Sequence, residues 1–296
     1  MADLLSVIVP TYNREDALDA VLRGLARQRD HDFEVIVADD GSGPATAAMI
    51  QSWTSRLGAK LVHVRQPDQG FRAAEIRNRA ILASRGTYCI FLDGDCIPRP
   101  DFIAAHRALA EPGWFVTGNR LLLSRDLTET VLKERLEPET WGAGAFLRQR
   151  LAGRINRLAP LAPLPLGPVR KLHPQVWQGA RSCNLGVWRA DLDRVDGFDA
   201  SFSGWGLEDS DLLIRLMRAG VRRKDGRFAT GVLHLWHPPE DRSAMPQNER
   251  RLGEVAQGER VRALKGLTSV RPLEDVPEAT AGAGAGPDTL SASHGR

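Results

Sequence analysis

The chain has 296 residues, of which 42% are apolar and 26% are charged, and its formal net charge is +3. This is the composition of a globular protein with a large core, and the absence of any run of about 18 apolar residues excludes a membrane-spanning helix. The N-terminus lacks the pattern of a secretion leader, and Cys89, Cys96 and Cys183 lack the spacing of a metal site. We therefore expect a cytoplasmic protein with reduced thiols.

The charges are distributed unevenly along the sequence. Residues 272–296 hold four acids and one base, a net charge of −3, and their Ala, Gly, Pro and Ser content predicts a disordered tail. No acidic residue occurs from Thr140 through Ala190, although this stretch holds eight basic residues: Arg148, Arg150, Arg154, Arg157, Arg170, Lys171, Arg181 and Arg189. One face of the protein is therefore predicted to meet an anionic partner.

The first hundred residues alternate between strands and helices. Apolar runs predict strands at 4–9, 33–38, 60–64 and 87–92. Helical periodicity predicts helices at 16–27 and 71–84, and a further helix after the second strand that continues through Leu57. This alternation predicts an α/β fold with a mostly parallel, doubly wound sheet. Ligands of such sheets bind beyond the carboxyl ends of the strands. Three polar loops, Pro10–Asn13, Asp39–Ser42 and Asp93–Asp95, are therefore predicted to share one edge.

The fourth predicted strand leads directly into Asp93-Gly94-Asp95. Side chains two residues apart in a strand point the same way, so Asp93 and Asp95 are predicted to face one side, with Gly94 permitting a sharp turn. Pro98 and Pro100 are predicted to end the strand. Two carboxylates so placed suit Mg²⁺ or Mn²⁺ bound together with a substrate phosphate. The alternative is a polar turn after a buried strand.

A second candidate phosphate site follows Gly70, where a loop enters a helix. Helix N-termini attract phosphate, and Arg72 and Arg77 can supply guanidinium groups to its oxygens. The alternative is an amphipathic helix with solvated arginines.

The order of elements is less regular after Pro98. We predict a helix at 102–109, a pair of strands within 114–123 and a helical segment at 124–141. Leu147, Leu151, Ile155 and Leu158 recur at helical spacing, with the arginines between them off the apolar stripe, and a Pro-rich loop follows. This segment is interpreted either as a surface that contacts an anionic membrane or as an ordinary packed helix with its connector.

The last dense motif is Gly204-Trp205-Gly206-Leu207-Glu208-Asp209. Trp205 offers a flat apolar surface for a sugar, and Glu208 and Asp209 begin a predicted helix, where acids are also favoured for structural reasons alone. A strand at 230–235 then presents His234, followed by His237, as candidate ligands for an Mn²⁺-type metal. Four further histidines are interpreted as structural: His31, His63, His106 and His173.

Three of these motifs, in order and each at a strand end, resemble the family 2 glycosyltransferases with the GT-A fold. They are Val7-Ile8-Val9-Pro10-Thr11-Tyr12-Asn13, Ala38-Asp39-Asp40-Gly41-Ser42 and Leu92-Asp93-Gly94-Asp95. The resemblance implies that Pro10, Thr11, Tyr12, Asn13, Asp39 and Asp40 hold the base and ribose of a nucleoside diphosphate sugar. It further implies that Asp93, Gly94 and Asp95 bind the metal on the diphosphate, near Arg77.

The Trp205–Asp209 motif is similar to the Trp-Gly-Gly-Glu-Asp motif of β-1,4-galactosyltransferases and bacterial chondroitin polymerases, with Leu207 in place of the second glycine. The resemblance implies an inverting transfer in which Asp209 is the general base and Glu208 orients a sugar. It also implies that a histidine at a strand end binds the donor metal. The sequence favours His234 for this role and His237 second.

The complete prediction is a GT-A glycosyltransferase domain at 1–271, with a nucleotide-sugar-binding part at 1–100, an acceptor-binding part at 101–271 and a disordered tail. It uses Mn²⁺ or Mg²⁺ and a UDP-sugar donor. Its acceptor is a glycan, glycolipid or lipid-linked molecule, with peripheral contact to the cytoplasmic membrane face. Nucleic acid is excluded as a partner because aromatic residues are sparse in the basic stretch. The alternatives are a nucleotidyltransferase, which usually has a Gly-rich, Lys-containing loop, and a non-catalytic carbohydrate- or nucleotide-binding protein.

Overall fold

The structure is a computed structural model that describes residues 3–270, so the predicted tail at 272–296 lies outside the described residues. Ten strands occur in the described part: β1 (Leu5–Thr11), β2 (Phe33–Asp39), β3 (Lys60–Arg65), β4 (Tyr88–Leu92), β5 (Cys96–Pro98), β6 (Trp114–Thr117), β7 (Arg120–Leu122), β8 (Asn184–Trp188), β9 (Arg222–Asp225) and β10 (Val232–His234).

Nine α-helices accompany these strands within residues 3–270: α1 (Glu15–Ala26), α2 (Pro44–Trp53), α3 (Ala73–Ala83), α4 (Phe102–Leu109), α5 (Arg125–Lys133), α6 (Ala143–Leu151), α7 (Arg189–Val195), α8 (Glu208–Arg218) and α9 (Met245–Gln257). None of them is long and apolar enough to cross a membrane.

Seven strands form the main sheet, in the order β3-β2-β1-β4-β8-β6-β9. The first four strands are parallel, as predicted, and β8 runs antiparallel to both β4 and β6. The last residues of β1 and β2, Thr11 and Asp39, are paired, and Ile8 lies opposite Phe91 of β4. This register brings the loops that follow β1, β2 and β4 to the same edge, which confirms the predicted placement.

Apolar side chains cover both faces of the main sheet because successive residues of a strand point to opposite sides. Val7 and Val35 face α1 and α2, whereas Ile8, Ile36 and Phe91 face α3, α7 and α8. The sheet therefore lies between two layers of helices, which is the doubly wound architecture that the sequence predicts.

A second sheet of three strands, β5-β10-β7, was not predicted. Pro98 does not end the strand that precedes Asp93, because β4 ends at Leu92; it is the last residue of a separate strand, β5, and lies opposite Val232 of β10. A proline is tolerated there because β5 is at the edge of its sheet. The predicted strand pair at 114–123 is divided between the two sheets, with β6 in the main sheet and β7 in the small one.

Two helix predictions in the second half of the chain are wrong in extent. The segment at 124–141 is helical only as far as Lys133 and in a short 3₁₀ turn at Pro138–Thr140, since Arg135 adopts a φ of 51°. The stripe from Leu147 to Leu158 does not form one helix. Helix α6 ends at Leu151, Gly153 adopts a φ of 72° and Ile155 pairs with Leu123 as an isolated bridge.

Five strands and α-helices have no counterpart in the predictions: β5, β8, α7, β9 and α9. Strand β9 is a run of four charged residues, so it lacks the apolar alternation that marks a strand. It is a strand because it pairs with β6, which is an interaction between residues far apart in sequence.

Candidate active site

The loops after β1 and β2 are joined by hydrogen bonds. The N–H of Asp40 donates to the Thr11 carbonyl at 3.0 Å, and the N–H of Asn13 donates to the Ser42 hydroxyl at 2.9 Å. The Asn13 amide oxygen in turn accepts from the Gly43 N–H at 2.9 Å. The residues predicted to bind the donor base therefore belong to one connected group of loops: Pro10, Thr11, Tyr12, Asn13, Asp39 and Asp40.

Asp39 and Asp40 have different surroundings. Asp39 is fully buried, accepts from the Ser42 N–H at 2.7 Å and lies 2.9 Å from His63 Nε2. Burial acts to raise the pKa of Asp39, but the hydrogen bonds from His63 and Ser42 outweigh burial and lower it. Asp40 accepts from the Arg72 N–H at 2.7 Å, and burial raises the pKa of Asp40. The Asp39 side chain is thus fully buried and stabilises the loop, whereas Asp40 is still 7% exposed.

Tyr12 and Arg72 both hydrogen-bond to the loop between β3 and α3. The Tyr12 hydroxyl donates to Asp68 at 3.0 Å and its ring is exposed, which leaves a free surface for stacking. The Arg72 guanidinium donates to Glu75 at 3.0 Å and to the Pro67 carbonyl. Arg72 therefore contributes mainly its backbone to the Asp40 site, and its role with phosphate stays a prediction.

The Asp93-Gly94-Asp95 turn packs directly against β1. A Cβ atom on Gly94 would lie 2.5 Å from the carbonyl oxygen of Pro10, which is closer than any real contact of this kind. Glycine is therefore required here for close approach of two backbones. This contact fixes the position of the turn relative to the loop after β1.

Asp95 lies with His234 and His237 in a group whose ligand atoms are all within 4.8 Å of one another. His234 Nε2 is 3.6 Å and His237 Nε2 is 3.4 Å from the same Asp95 oxygen. Both histidines reach Asp95 because β10 pairs with β5, which begins one residue after Asp95. Of the four predicted metal ligands, the structure groups these three, while Asp93 points to Arg77 instead.

The chemistry of this cluster fits a divalent cation. His237 Nδ1 lies 2.7 Å from the carbonyl of Pro238, which can only accept a hydrogen bond, so Nδ1 carries a proton and Nε2, which faces Asp95, is the nitrogen that could bind a metal. Burial lowers the pKa of His234, which also favours its neutral, metal-binding form. Two imidazole nitrogens and one carboxylate suit Mn²⁺ and similar metals.

Arg77 connects the two halves of the site. It lies on α3 and is 5% exposed, and its guanidinium donates to Asp93 at 3.3 Å and to Glu208 at 2.9 Å. Asp93 follows β4, whereas Glu208 begins α8, 131 residues after Arg77. One side chain thus holds the Asp-Gly-Asp motif beside the Glu-Asp motif.

Glu208 and Asp209 begin α8 and are both nearly buried. Burial raises the pKa of Glu208, and Arg77 opposes this effect. Asp209 accepts hydrogen bonds from neutral groups, which are the backbone N–H groups of Ser182, at 3.3 Å, and Ser210, at 2.7 Å, and the Ser210 hydroxyl. Arg77 acts on it through its charge but forms no ion pair with it. The two carboxylates therefore differ chemically, because Glu208 is ion-paired and Asp209 is not.

The loop before α8 has a backbone conformation that favours glycine at two successive positions. Leu207 adopts a φ of 75°, a left-handed conformation that favours glycine, and Gly206 has a φ of 108°. This is the position where the similar motif has its second glycine. Trp205 is half-buried, with the Arg242 guanidinium 5.1 Å from its ring centroid. One face of the indole is therefore covered by Arg242.

Arg120 is a site residue that was missed at the level of sequence. It begins β7, and its charge interacts with Asp93 and Asp95, although its guanidinium forms no hydrogen bond within residues 3–270. The available signal was a lone basic residue in the middle of a predicted strand pair, which is weak. The N–H of Ser182, which holds Asp209, is a backbone group and gives no sequence signal at all.

The fold is that of the GT-A glycosyltransferases, as comparison with solved structures shows. Staphylococcus aureus TarS in complex with UDP-GlcNAc is 15% identical with a TM-score of 0.53, and the match covers 80% of this chain and 59% of that chain. The mannosyltransferase PcManGT from Pyrobaculum calidifontis, in complex with GDP-Man and Mn²⁺, is 19% identical with a TM-score of 0.53, covering 86% and 62%.

The chain belongs to glycosyl transferase family 2, whose sequence profile matches residues 6–159. A profile described as the N-terminal domain of galactosyltransferase matches residues 170–237, which include Glu208, Asp209 and both candidate metal histidines. The predicted family resemblance is thus confirmed.

Two curated relatives illustrate this membership. Validoxylamine A glucosyltransferase of Streptomyces hygroscopicus subsp. limoneus is 33% identical over 243 residues, which cover 77% of this chain and 51% of the relative. Chondroitin synthase of Escherichia coli is 28% identical over 249 residues, covering 77% and 34%. The chain therefore spans about half, or less, of the length of these relatives.

Proposed function

We propose that this protein is a metal-dependent inverting glycosyltransferase. It moves a sugar from a nucleotide-sugar donor, a UDP-hexose or UDP-N-acetylhexosamine, to a glycan or glycolipid acceptor in surface polysaccharide synthesis. The observation that carries the proposal is the Arg77 bridge between Asp93 and Glu208, because it joins a donor-side motif to an acceptor-side motif. In this proposal residues 1–100 bind mainly the donor and residues 101–271 mainly the acceptor.

The donor lies along the edge formed by the loops after β1, β2 and β4. Asp40 accepts a hydrogen bond from the base, and the exposed ring of Tyr12 stacks near it. Arg120 faces the diphosphate, since its guanidinium has unused donors and lies close to Asp93 and Asp95. The complex of TarS with UDP-GlcNAc supports a uridine donor.

Asp95, His234 and His237 hold the divalent cation in this proposal. When bound, the cation supplies charge stabilisation to the leaving diphosphate. Asp93 takes part indirectly, because Arg77 fixes its orientation beside the cluster. The Mn²⁺ complex of PcManGT supports the choice of metal.

Asp209 acts as the general base on the acceptor hydroxyl. Its carboxylate is oriented by hydrogen bonds from Ser182 and Ser210 and forms no ion pair within residues 3–270, so it is available to the acceptor hydroxyl. Glu208, held by Arg77, orients a sugar hydroxyl.

The reaction is one displacement at the anomeric carbon. The acceptor oxygen forms a bond to this carbon as the bond from carbon to the diphosphate oxygen breaks. The acceptor proton passes to Asp209, and the nucleoside diphosphate leaves with the bonding electron pair. Configuration inverts because attack and departure occur on opposite faces.

The acceptor is proposed to be a glycan, a glycolipid or another lipid-linked molecule, because a basic stretch extends from residue 140 to residue 190. We place the protein in the cytoplasm, where nucleotide sugars are made. Its three cysteines are free and buried, which agrees with a reducing compartment.

The test is calorimetric titration of the full chain with a panel of UDP-sugars and with GDP-mannose, each with and without Mn²⁺. We expect one UDP-sugar to bind in a metal-dependent manner. Binding of GDP-mannose alone would still agree with the fold but would contradict the proposal that the donor base is uracil. No binding of any donor in Mn²⁺ would contradict the proposed function.

A matched pair of variants tests the metal site separately. Asp95→Ala should lose the Mn²⁺ dependence of donor binding, because the cluster loses its shared carboxylate. His173→Ala, an exposed histidine outside the cluster, should titrate like the wild type. If Asp95→Ala responds to Mn²⁺ like the wild type, the assignment of the metal site is wrong.

A further inference from the structure

Residues 142–176 expose an unusual number of apolar side chains, and we call them the basic-apolar surface. Eleven large apolar side chains are exposed within residues 3–270, and six of them lie in this segment: Leu147, Leu151, Leu164, Val169, Leu172 and Val176. The exposed apolar side chains are therefore concentrated in one stretch of the sequence, and two of them, Leu147 and Leu151, belong to the same helix, α6.

Helix α6 shows how the surface is built. Phe146 is buried and stacks edge-on against Trp141, which anchors the helix to the protein. Leu147 and Leu151, one turn apart, are 50% and 80% exposed, so they form an outward-facing apolar stripe. Arg148 and Arg150 are exposed beside this stripe and form no ion pair within residues 3–270. The outer side of α6 is therefore both apolar and cationic.

The charges of the remaining segment leave this character unchanged. Arg154 pairs with Asp126 at 2.8 Å, and Lys171 pairs with Glu111 at 2.7 Å. Arg170 is buried and donates to backbone carbonyls, so it is structural. The segment itself holds no acid that would repel an anionic surface.

The basic-apolar surface begins next to the candidate active site. Ile155 pairs with Leu123, and the Arg157 guanidinium donates to the Arg120 carbonyl at 3.0 Å, so residues 155–157 run along β7. Strand β7 is the neighbour of β10, which ends at His234. Residues 155–157 thus connect the basic-apolar surface to the small sheet that carries His234.

We propose that the basic-apolar surface docks the protein onto an anionic phospholipid membrane. The exposed leucines insert among the acyl chains at the interface, and Arg148 and Arg150 bind lipid phosphates. This goes beyond the proposed transfer reaction, since docking requires neither donor nor metal. It also gives a physical reason for a lipid-linked acceptor, because both partners would meet at one surface.

The experiment is co-sedimentation of the full chain with vesicles, without donor or metal. One set of vesicles is phosphatidylcholine, and the other contains one third phosphatidylglycerol. We expect binding to the anionic vesicles to exceed binding to the neutral ones by at least about tenfold, and high salt to weaken it. Leu147→Ser combined with Leu151→Ser should lower binding by at least about tenfold, and so should Arg148→Gln combined with Arg150→Gln.

A matched control lies where β4 begins, at the end of this strand away from Asp93. Leu82 and Arg85 are also exposed, near the start of β4, and Leu82→Ser combined with Arg85→Gln should bind like the wild type. Equal binding to both kinds of vesicle, or unchanged binding of both surface variants, would overturn the proposal. Absence of vesicle binding would overturn it too, and would point to an acidic protein as the partner. None of these results depends on transferase activity, so the two proposals fail separately.

Discussion

Single residues decide which carboxylate of the Glu-Asp motif performs which task. Arg77 neutralises Glu208, whereas Asp209 accepts hydrogen bonds from Ser182 and Ser210. Glu208 is thus held in an ion pair, whereas Asp209 is held by neutral hydrogen-bond donors. This difference agrees with the proposed roles, in which Glu208 orients a sugar and Asp209 meets the acceptor hydroxyl.

Asp209→Asn should lower kcat by at least about 100-fold, since an amide cannot accept the acceptor proton. Its Kd for the donor should stay within a few fold of the wild type, because Asn keeps the acceptor oxygen for Ser182. Turnover and calorimetric titration measure the two effects separately. A variant that keeps most of its turnover would remove Asp209 from the mechanism.

Leu207 is strained by its left-handed conformation, in which a non-glycine residue costs on the order of 1 kcal/mol. Leu207→Gly and Leu207→Ala remove nearly the same side chain, but only glycine relieves the strain. We expect the glycine variant to be more stable than the alanine variant by about 1 kcal/mol, measured by urea unfolding. An alanine variant that is equally or more stable would show that this conformation is not held in solution.

Pairs of elements position the loops that surround the site. The turn between β4 and β5 contacts the end of β1 through Gly94, and β10 brings His234 to the same turn. These contacts join the main sheet to the small sheet at the metal cluster. A shift of one sheet therefore changes the position of its candidate metal ligands relative to those of the other sheet.

Gly94→Ala tests this coupling of elements. The new methyl group would overlap the Pro10 carbonyl, so β1 and the turn must separate, at a cost of about 1–3 kcal/mol. We expect a lower Tm and weaker donor binding. Gly253→Ala, in α9, meets no atom within 4 Å and serves as the control, with unchanged binding. If both variants bind donor alike, the close contact at Gly94 does not shape the site.

The folding stability of the whole molecule depends on pH, and a buried histidine contributes to this dependence. His106 is fully buried, hydrogen-bonds to Asn184 at 3.1 Å and packs against Phe102. Burial lowers the pKa of His106 from 6.5 to about 4. Between these two values the unfolded chain binds a proton that the folded chain does not. The contribution of His106 to the free energy of unfolding is therefore fully present above about pH 6.5 and is lost as the pH falls toward 4.

At pH 5 this histidine should reduce the free energy of unfolding by roughly 2 kcal/mol relative to pH 7. His106→Gln cannot take the proton, yet it keeps a donor for Asn184. Urea unfolding of both proteins at the two pH values separates this contribution from that of the carboxylates. We expect the loss for the variant to be smaller by about 2 kcal/mol. Equal losses would mean that His106 is not buried as the structure has it.

Sequence reasoning succeeded where local chemistry fixes the structure. The strands at β1, β2 and β4 and the acids that follow them are predictable, because alternation of side chains and strand-ending turns act over a few residues. It failed for β9, a strand made of charged residues, and for the stripe through Ile155, since Gly153 ends α6 and Ile155 pairs with Leu123.

The sequence alone determined the α/β class, the edge that carries the site and most of the residues at that edge. The tertiary structure decided how those residues are used. It paired Arg77 with Glu208 across 131 residues, placed both His234 and His237 on Asp95 and turned Asp93 away from them. The physical reason is that these contacts arise from the packing of elements distant in sequence, which no local pattern records.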